Sequence, residues 1–160
     1  MKKALVAYFS CSGVTEQLAK TLSGVVGADL YQITPAVPST PADLDWQDEK
    51  SRSTVEMRDK TSRPAIAGEV AHMEQYDTVF VGFPIWWYVA PTIINTFLER
   101  YDFSGKTVIP FATSGGSGVG ETDQGLHGSC SKETHWRPAK RFPGGAKADA
   151  LRAWVAELDL

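Results

Sequence analysis

The most regular feature of the chain is a set of apolar runs, each followed by a loop rich in Gly, Pro, Ser or Thr. Residues 4–9, 78–83 and 107–112 are rich in Val, Ile and Phe and show no polar alternation. Such runs are typical of parallel strands that are buried on both faces. Residues 28–33 alternate weakly and predict an edge strand, and residues 134–137 predict a fifth strand.

Apolar residues three or four positions apart predict three helices between these strands. The first stripe runs from Val14 to Val25, and Gly27 is placed to end that helix in a left-handed conformation. The second stripe covers residues 93–101, with Pro91 suited to the first turn, and the third covers residues 148–158. Strands alternating with helices predict right-handed crossovers and a doubly wound α/β sheet with helices on both faces.

Two long segments depart from this alternation. Residues 35–75 contain the charged run 43–60, which predicts a solvated helix over about residues 47–59. The glycine-rich segment 114–131 leaves room only for a short helix. Connections of this length are usually functional or disordered. A chain of 160 residues can bury one proper core, so we expect residues 1–160 to form a single domain.

The charge of the chain narrows the classes of partner. The 16 Lys and Arg residues against 19 Asp and Glu residues give a net charge of −3. This balance argues against non-specific binding to nucleic acid or to an anionic membrane surface. The two cysteines, Cys11 and Cys130, form no CxxC pair. We therefore expect a cytoplasmic protein with free thiols. We also expect a binding site that uses backbone N–H groups and hydroxyls and needs no metal.

The loop after the first predicted strand carries hydroxyls, one thiol and one glycine, but no charge. Its residues are Ser10, Cys11, Ser12, Gly13, Val14 and Thr15. A loop that opens a helix aims backbone N–H groups at an anion, which the helix dipole also favours. We therefore predict a phosphate site here; the alternative is that Ser12 only caps the helix.

Other phosphate chemistries fit this loop poorly. A nucleoside triphosphate would need the lysine of GxxxxGK, which is absent. A Cys-x5-Arg phosphatase would need arginine six residues after Cys11, where the chain has Gln17. A response-regulator receiver would carry an acidic cluster at the end of the first strand, and the loop has none. Cys11 is therefore interpreted as a small loop residue rather than a nucleophile.

Two further loops follow the next two buried strands. The second loop contains Pro84, Ile85, Trp86, Trp87 and Tyr88. The third loop contains Thr113, Ser114, Gly115, Gly116, Ser117 and Gly118. Adjacent aromatic residues in a loop cannot all face one core, so an indole is available to stack on a heterocycle. The glycine-rich loop can bring backbone N–H groups against a ring edge. Since ligands of open α/β sheets bind beyond the carboxyl ends of the strands, the three loops together fit flavin mononucleotide (FMN).

The motifs in these three loops make the chain resemble the flavodoxin family. YFSCSGVT resembles the family's phosphate loop, S/T-x-S/T-G-x-T. GFPIWWYVAP and FATSGGSG resemble the ring-binding loops of its short-chain NAD(P)H-oxidoreductase-like branch, and HWRPAKRFPGGA fits the same branch. The resemblance covers nearly the whole chain. It implies a five-stranded parallel sheet of order 2-1-3-4-5 with FMN bound non-covalently.

The resemblance also implies roles by position. Ser10 and residues 12–15 are expected to hold the phosphate. Residues 84–88 are expected to line the isoalloxazine, and residues 113–118 to meet its polar edge. The flavin would carry out the redox chemistry, while the protein would set its potential and exposure.

The sequence does not decide which molecules donate electrons to the flavin and which accept them. Flavodoxin carriers are strongly acidic and commonly cover the outer ring face with an aromatic residue, whereas this chain has a charge of −3 and no aromatic in residues 113–120. An uncovered ring suits hydride transfer from NAD(P)H, yet GxGxxG is absent and no catalytic base stands out. We expect His72, His127 and His135 to have surface or structural roles.

Three functions therefore remain. The first is a redox protein that passes electrons through FMN to a partner protein or a small-molecule acceptor. The second is an NAD(P)H-dependent FMN reductase acting on quinones or similar acceptors. The third is a non-redox module that binds another phosphorylated ligand.

Overall fold

A parallel sheet forms the centre of the protein. The computed structural model describes residues 3–9, 14–35, 65–70, 72–84, 92–113, 126–137, 139–142 and 147–158. The strands of the sheet are β1 (Ala4–Tyr8), β2 (Asp29–Gln32), β5 (Thr78–Pro84), β6 (Thr107–Thr113), β7 (His135–Trp136) and β8 (Lys140–Phe142). A separate antiparallel pair consists of β3 (Thr34–Pro35) and β4 (Ile66–Ala67).

The strand order confirms the predicted topology. The sheet runs β2-β1-β5-β6-β7, with β8 also paired to β6, and every pairing in it is parallel. Counting β7 and β8 as one interrupted strand, the order in chain sequence is 2-1-3-4-5. The prediction of β2 as an edge strand is also confirmed, because among the described residues it pairs only with β1.

The fifth strand is interrupted opposite a proline. Val108 pairs with Trp136 and Phe111 pairs with Lys140, so the register shifts by one residue between β7 and β8. Lys106 and Val108 accept hydrogen bonds from the fifth strand, at 2.9 and 3.0 Å. Alternate residues of a strand face the same neighbour, so Pro110 also faces this side, and it has no N–H to donate. Pro110 therefore offers the fifth strand no N–H donor between the two paired pieces, β7 and β8.

In the described part of the chain, three helices flank the sheet as predicted: α1 (Val14–Val26), α2 (Thr92–Arg100) and α3 (Ala148–Leu158). The predicted left-handed end of α1 is confirmed, since Gly27 has φ of 67°. The Ala28 N–H donates to the Ser23 carbonyl at 3.0 Å, which is the 6→1 hydrogen bond of a Schellman motif around this glycine. A 3₁₀ helix, Met73–Gln75, leads into β5.

The two faces of the sheet carry separate cores. One face packs α2 against alternate residues of β1, β5 and β6, and it also buries Phe103 and Leu126. The other face packs α1 and α3, where Trp154 meets the rings of Phe80, Phe111 and Phe142. Strands β1, β5 and β6 are buried on both sides, which explains their continuously apolar sequences.

Some expectations fall on parts of the chain outside the described residues. These are the charged helix over residues 47–59, the placement of Pro91 and most of segment 114–131. They stay predictions.

Candidate functional site

The three predicted binding loops start from one edge of the sheet. Parallel pairing aligns Tyr8 with Gly82 and Gly82 with Phe111, so β1, β5 and β6 end on the same side. At the ends of β5 and β6, Pro84 and Thr113 are direct register partners. The second and third loops therefore leave the sheet side by side, and the first loop leaves it next to them.

Most of the predicted site residues lie outside the described part of the chain. They are Ser10, Cys11, Ser12, Gly13, Ile85, Trp86, Trp87, Tyr88, Ser114, Gly115, Gly116, Ser117 and Gly118. The described members are Val14, Thr15, Pro84 and Thr113, at least one at the boundary of each loop. The structure thus locates where each loop meets the sheet or its helix, and the roles of the loop interiors stay predictions.

The first loop leads directly into α1, which begins at Val14. The N–H groups of a first helical turn have no partner within the helix, and the helix dipole places partial positive charge there. Val14 is 41% exposed, whereas Thr15 is 2% exposed. The entrance to α1 therefore combines backbone donors with a buried hydroxyl, which is a donor set that suits a phosphate ester.

A hydrogen bond joins the first loop region to the third. The Thr15 and Thr113 hydroxyl oxygens are 2.8 Å apart, and Thr113 is only 4% exposed. The two residues are 98 positions apart in sequence, so this contact could not be read from local pattern. It places two of the predicted site residues, one expected at the phosphate and one at the ring edge, in direct contact.

An acidic side chain lies beside this edge. The Tyr8 hydroxyl donates to Glu16 Oε2 at 3.1 Å, and Lys20 Nζ lies 3.9 Å from the same oxygen. Burial raises the pKa of Tyr8, and the bond to Glu16 adds to that rise. A carboxylate in the first turn of a helix is favoured by the helix dipole. Sequence reasoning missed this pair, although a tyrosine near the end of an otherwise apolar run hints at a buried polar partner.

Close packing leaves room only for a glycine at position 82, near the carboxyl edge of the sheet. A Cβ added to Gly82 would lie 2.2 Å from the ring of Phe111, its partner on β6. The ring therefore covers the backbone of β5 two residues before Pro84. This packing holds the ends of β5 and β6 close together where their loops begin.

The histidines lie away from this edge, as expected for surface or structural residues. His72 is exposed beside Glu74, and His135 is exposed in β7. His135 pairs with Thr107, six residues and roughly 20 Å along β6 from Thr113. The ring of His127 contacts that of Trp136 in a tilted arrangement, with 4.5 Å between centroids, and so lies in the same region. In the described part of the chain, no group of three or more His, Cys, Asp or Glu residues is arranged to hold a metal.

Comparison with known protein families accounts for this arrangement. A family model described as Flavodoxin matches residues 3–158, almost the whole chain. The chain belongs to the flavodoxin family. Its parallel sheet, with a loop-to-helix junction at the end of β1, is thus the flavodoxin framework, and the predicted resemblance is confirmed.

Solved structures agree with this membership. A protein from Bacteroides eggerthii DSM 20697, provisionally described as a flavoprotein, is 45% identical over 100% of this chain and 99% of its own, with a TM-score of 0.92. A similarly described protein from Bacteroides uniformis ATCC 8492 is 45% identical over 97% and 98% of the two chains, with a TM-score of 0.91.

A more distant structure shares the fold. It is a flavoprotein in complex with FMN from Lactobacillus acidophilus NCFM, which is 21% identical over 88% of this chain and 93% of its own, with a TM-score of 0.69. No curated protein matches this flavodoxin-family chain. Among the residues that the structure describes, no helix combines the length and apolarity that crossing a membrane requires.

Proposed function

We propose that this protein binds FMN non-covalently at the carboxyl edge of β1, β5 and β6 and transfers electrons through it. The observation that carries the proposal is the buried contact between Thr15 and Thr113, 2.8 Å apart. It brings the predicted phosphate loop and the predicted ring-edge loop to one place, as a ligand with a phosphate at one end and a flat ring at the other requires. Membership of the flavodoxin family supports the same function.

The phosphate end is assigned to the entrance of α1. Ser10, Ser12 and Thr15 offer hydroxyl donors, and Gly13 and Val14 offer backbone N–H groups. This set contains no Lys or Arg, which suits a monoester held by many neutral donors rather than by a charged clamp. Among these donors Thr15 has the best-defined position, because its buried side chain lies against Thr113 at the end of β6.

The ring end is assigned to the loops that follow Pro84 and Thr113. These two residues are register partners, so the loops leave the sheet side by side. Residues 85–88 supply the aromatic platform and residues 114–118 supply the backbone donors for the polar edge of the ring. When bound, FMN supplies the redox chemistry, while these residues orient it and limit its contact with water. Its electrons pass to a redox partner protein or to a small-molecule acceptor.

The direct test is a flavin-binding titration of the apoprotein, with Gly13→Asp as the disabling variant. An aspartate at position 13 brings a side chain and a negative charge against the phosphate. Uncompensated charge in a buried site costs several kcal/mol, so we expect FMN affinity to fall by at least about 100-fold.

Gly128→Asp is the matched control. Gly128 is exposed, its φ is not positive and a Cβ there would meet open space, so the same substitution adds the same charge outside the three predicted loops. This variant should bind FMN as the wild type does. Wild-type protein that shows no flavin absorption and takes up no FMN would refute the proposal, and tight binding by folded Gly13→Asp would refute the phosphate assignment. Turnover of the FMN-loaded protein with NADPH, with and without a quinone, then identifies the electron donor.

A further inference from the structure

We propose that Thr113 is a positioning residue for the phosphate: its hydroxyl donates to Thr15 Oγ1 and leaves the Thr15 proton free for the ligand. This inference rests on the proposed function and adds a role that the family loop pattern does not contain. It concerns a residue at the end of β6, whose predicted place was at the ring edge.

The contact between Thr15 and Thr113 is buried and well defined, unlike a contact between mobile surface side chains. The two oxygens are 2.8 Å apart, the usual separation for an O–H···O bond. Thr15 is 2% and Thr113 4% exposed, so water reaches neither residue freely. Both side chains are β-branched and have few rotamers to choose from, which keeps the two oxygens in contact.

Counting protons decides the direction of the bond. Each hydroxyl has one proton and two lone pairs, and the contact uses one proton. If Thr15 donated, its single proton would bond to the Thr113 oxygen. The Thr15 hydroxyl would then have only lone pairs to direct at an anion. If Thr113 donates, Thr15 accepts through a lone pair and keeps its proton. Only the second arrangement lets Thr15 serve a phosphate at the entrance of α1.

The arrangement also strengthens the phosphate contact. A hydroxyl that accepts a hydrogen bond becomes a better donor, because hydrogen bonds in a chain polarise one another. Thr113 continues into the loop assigned to the ring edge, so one side chain ties the phosphate end of the site to the ring end. Removing its hydroxyl should therefore weaken the phosphate contact and leave the contacts to the ring in place.

The test compares FMN with riboflavin, which has the same ring system but lacks the phosphate. Thr113→Val keeps the shape and removes the hydroxyl. We expect its affinity for FMN to fall about five- to tenfold, which is the worth of roughly one hydrogen bond, and its affinity for riboflavin to change less than about twofold. Thr113→Ser retains the hydroxyl and should bind both flavins as the wild type does.

A double-mutant cycle with Thr15→Val tests whether Thr113 affects the phosphate through Thr15. If Thr113 acts through Thr15, Thr113→Val should cause no further loss of FMN affinity in the Thr15→Val protein. Circular dichroism and thermal unfolding of each apoprotein check folding, and Thr113→Ala replaces Thr113→Val if that variant is unfolded.

Equal loss of FMN and riboflavin affinity, no loss of either, or an undiminished effect in the Thr15→Val background would each overturn the inference. Those outcomes leave the proposed function standing, since the wild type would still bind FMN. Wild-type protein that binds neither flavin would overturn both.

Discussion

Cys130 is a half-buried thiol with its reactivity suppressed by its surroundings. Burial is the main cause that raises its pKa to about 12, and the carboxylate of Glu99 adds to the rise, while a hydrogen bond with Thr134 acts in the opposite direction. Only the thiolate reacts with electrophiles. At pH 8, a thiol with a pKa of about 12 is ionised to roughly one part in ten thousand, against about a quarter for a free thiol.

We therefore expect iodoacetamide to alkylate Cys130 at pH 8 at least about 100 times more slowly in the folded protein than in denaturant. Mass mapping of the peptide that contains Cys130 gives the rate at this thiol separately from that at Cys11. Glu99→Gln removes the repelling charge and should speed the reaction several-fold, but not to the denatured rate, because burial remains. Equal rates in folded and denatured protein would contradict the assignment.

At the scale of single elements, Gly82 shows how tightly the ends of β5 and β6 are packed. The ring of Phe111 is completely buried and occupies the space that a side chain at position 82 would need. Its atoms lie 2.2, 2.5 and 2.9 Å from the point where a Cβ on residue 82 would stand. An aromatic ring over a glycine on the neighbouring strand is a favourable cross-strand arrangement. Any larger residue must displace the ring.

Gly82→Ala should lower the free energy of unfolding by about 1–3 kcal/mol, measured by urea denaturation, because overpacking forces strain into the core. Gly24→Ala is the matched control in α1: a Cβ there meets nothing within 4 Å, and alanine is the better helix former. That change should raise stability by about 0.5–1 kcal/mol. Two variants with the same small effect would show that Phe111 does not constrain position 82.

The sequence predicted the elements better than it predicted the contacts between them. The parallel strands were predictable because continuous apolar runs reflect burial on both faces of a sheet. The helices were predictable because apolar residues three or four positions apart reflect burial of one helix face. Gly27 was predictable as a helix end for a local conformational reason. The extension of the fifth strand to Lys140–Phe142 was not predictable, because this segment is a strand through its pairing with β6, which is distant in sequence. Likewise, the sequence around Thr15 gives no sign of its hydrogen bond with Thr113, 98 positions away. The loop residues predicted to hold the ligand remain predictions.

For the molecule as a whole, a polar cluster ties down the edge of the sheet opposite the candidate site. The Tyr76 hydroxyl donates to Asp29 Oδ2 at 2.7 Å, and Lys3 Nζ lies 3.7 Å from the same carboxylate oxygen. Lys106 Nζ donates to the carbonyls of Met73 and Tyr76. These contacts join β1, β2, the 3₁₀ helix and the start of β6, so the cluster affects global stability rather than the ligand.

This cluster predicts a loss of stability at alkaline pH. Burial first, and the bond to Asp29 second, raise the pKa of Tyr76 from 10.0 to about 12. The folded protein therefore holds this proton more tightly than the unfolded chain does. The resulting stabilisation is fully present below about pH 10 and is lost as the pH rises through about 12. The raised pKa values of Tyr8, Tyr31 and Cys130 act in the same direction.

Urea denaturation at a series of pH values from about 7 to about 11.5 should show this decline above about pH 9–10. Tyr76→Phe should be less stable at neutral pH, because Asp29 loses a donor, and its stability should fall less steeply with pH. Tyrosinate absorbance follows the ionisation directly. A stability curve that stays flat up to about pH 11 would contradict the shifted pKa values.

The interruption between β7 and β8 also bears on how the folded protein avoids aggregation. An exposed sheet edge recruits strands of other molecules when it offers a long, evenly spaced row of N–H and C=O groups. Here the edge beyond β6 consists of pieces of two and three residues, out of register by one. The opposite edge, β2, is a continuous four residues and carries Leu30, which is 39% exposed. As far as the described residues show, strand addition between molecules is thus disfavoured beside β6, and β2 is the edge better suited to it.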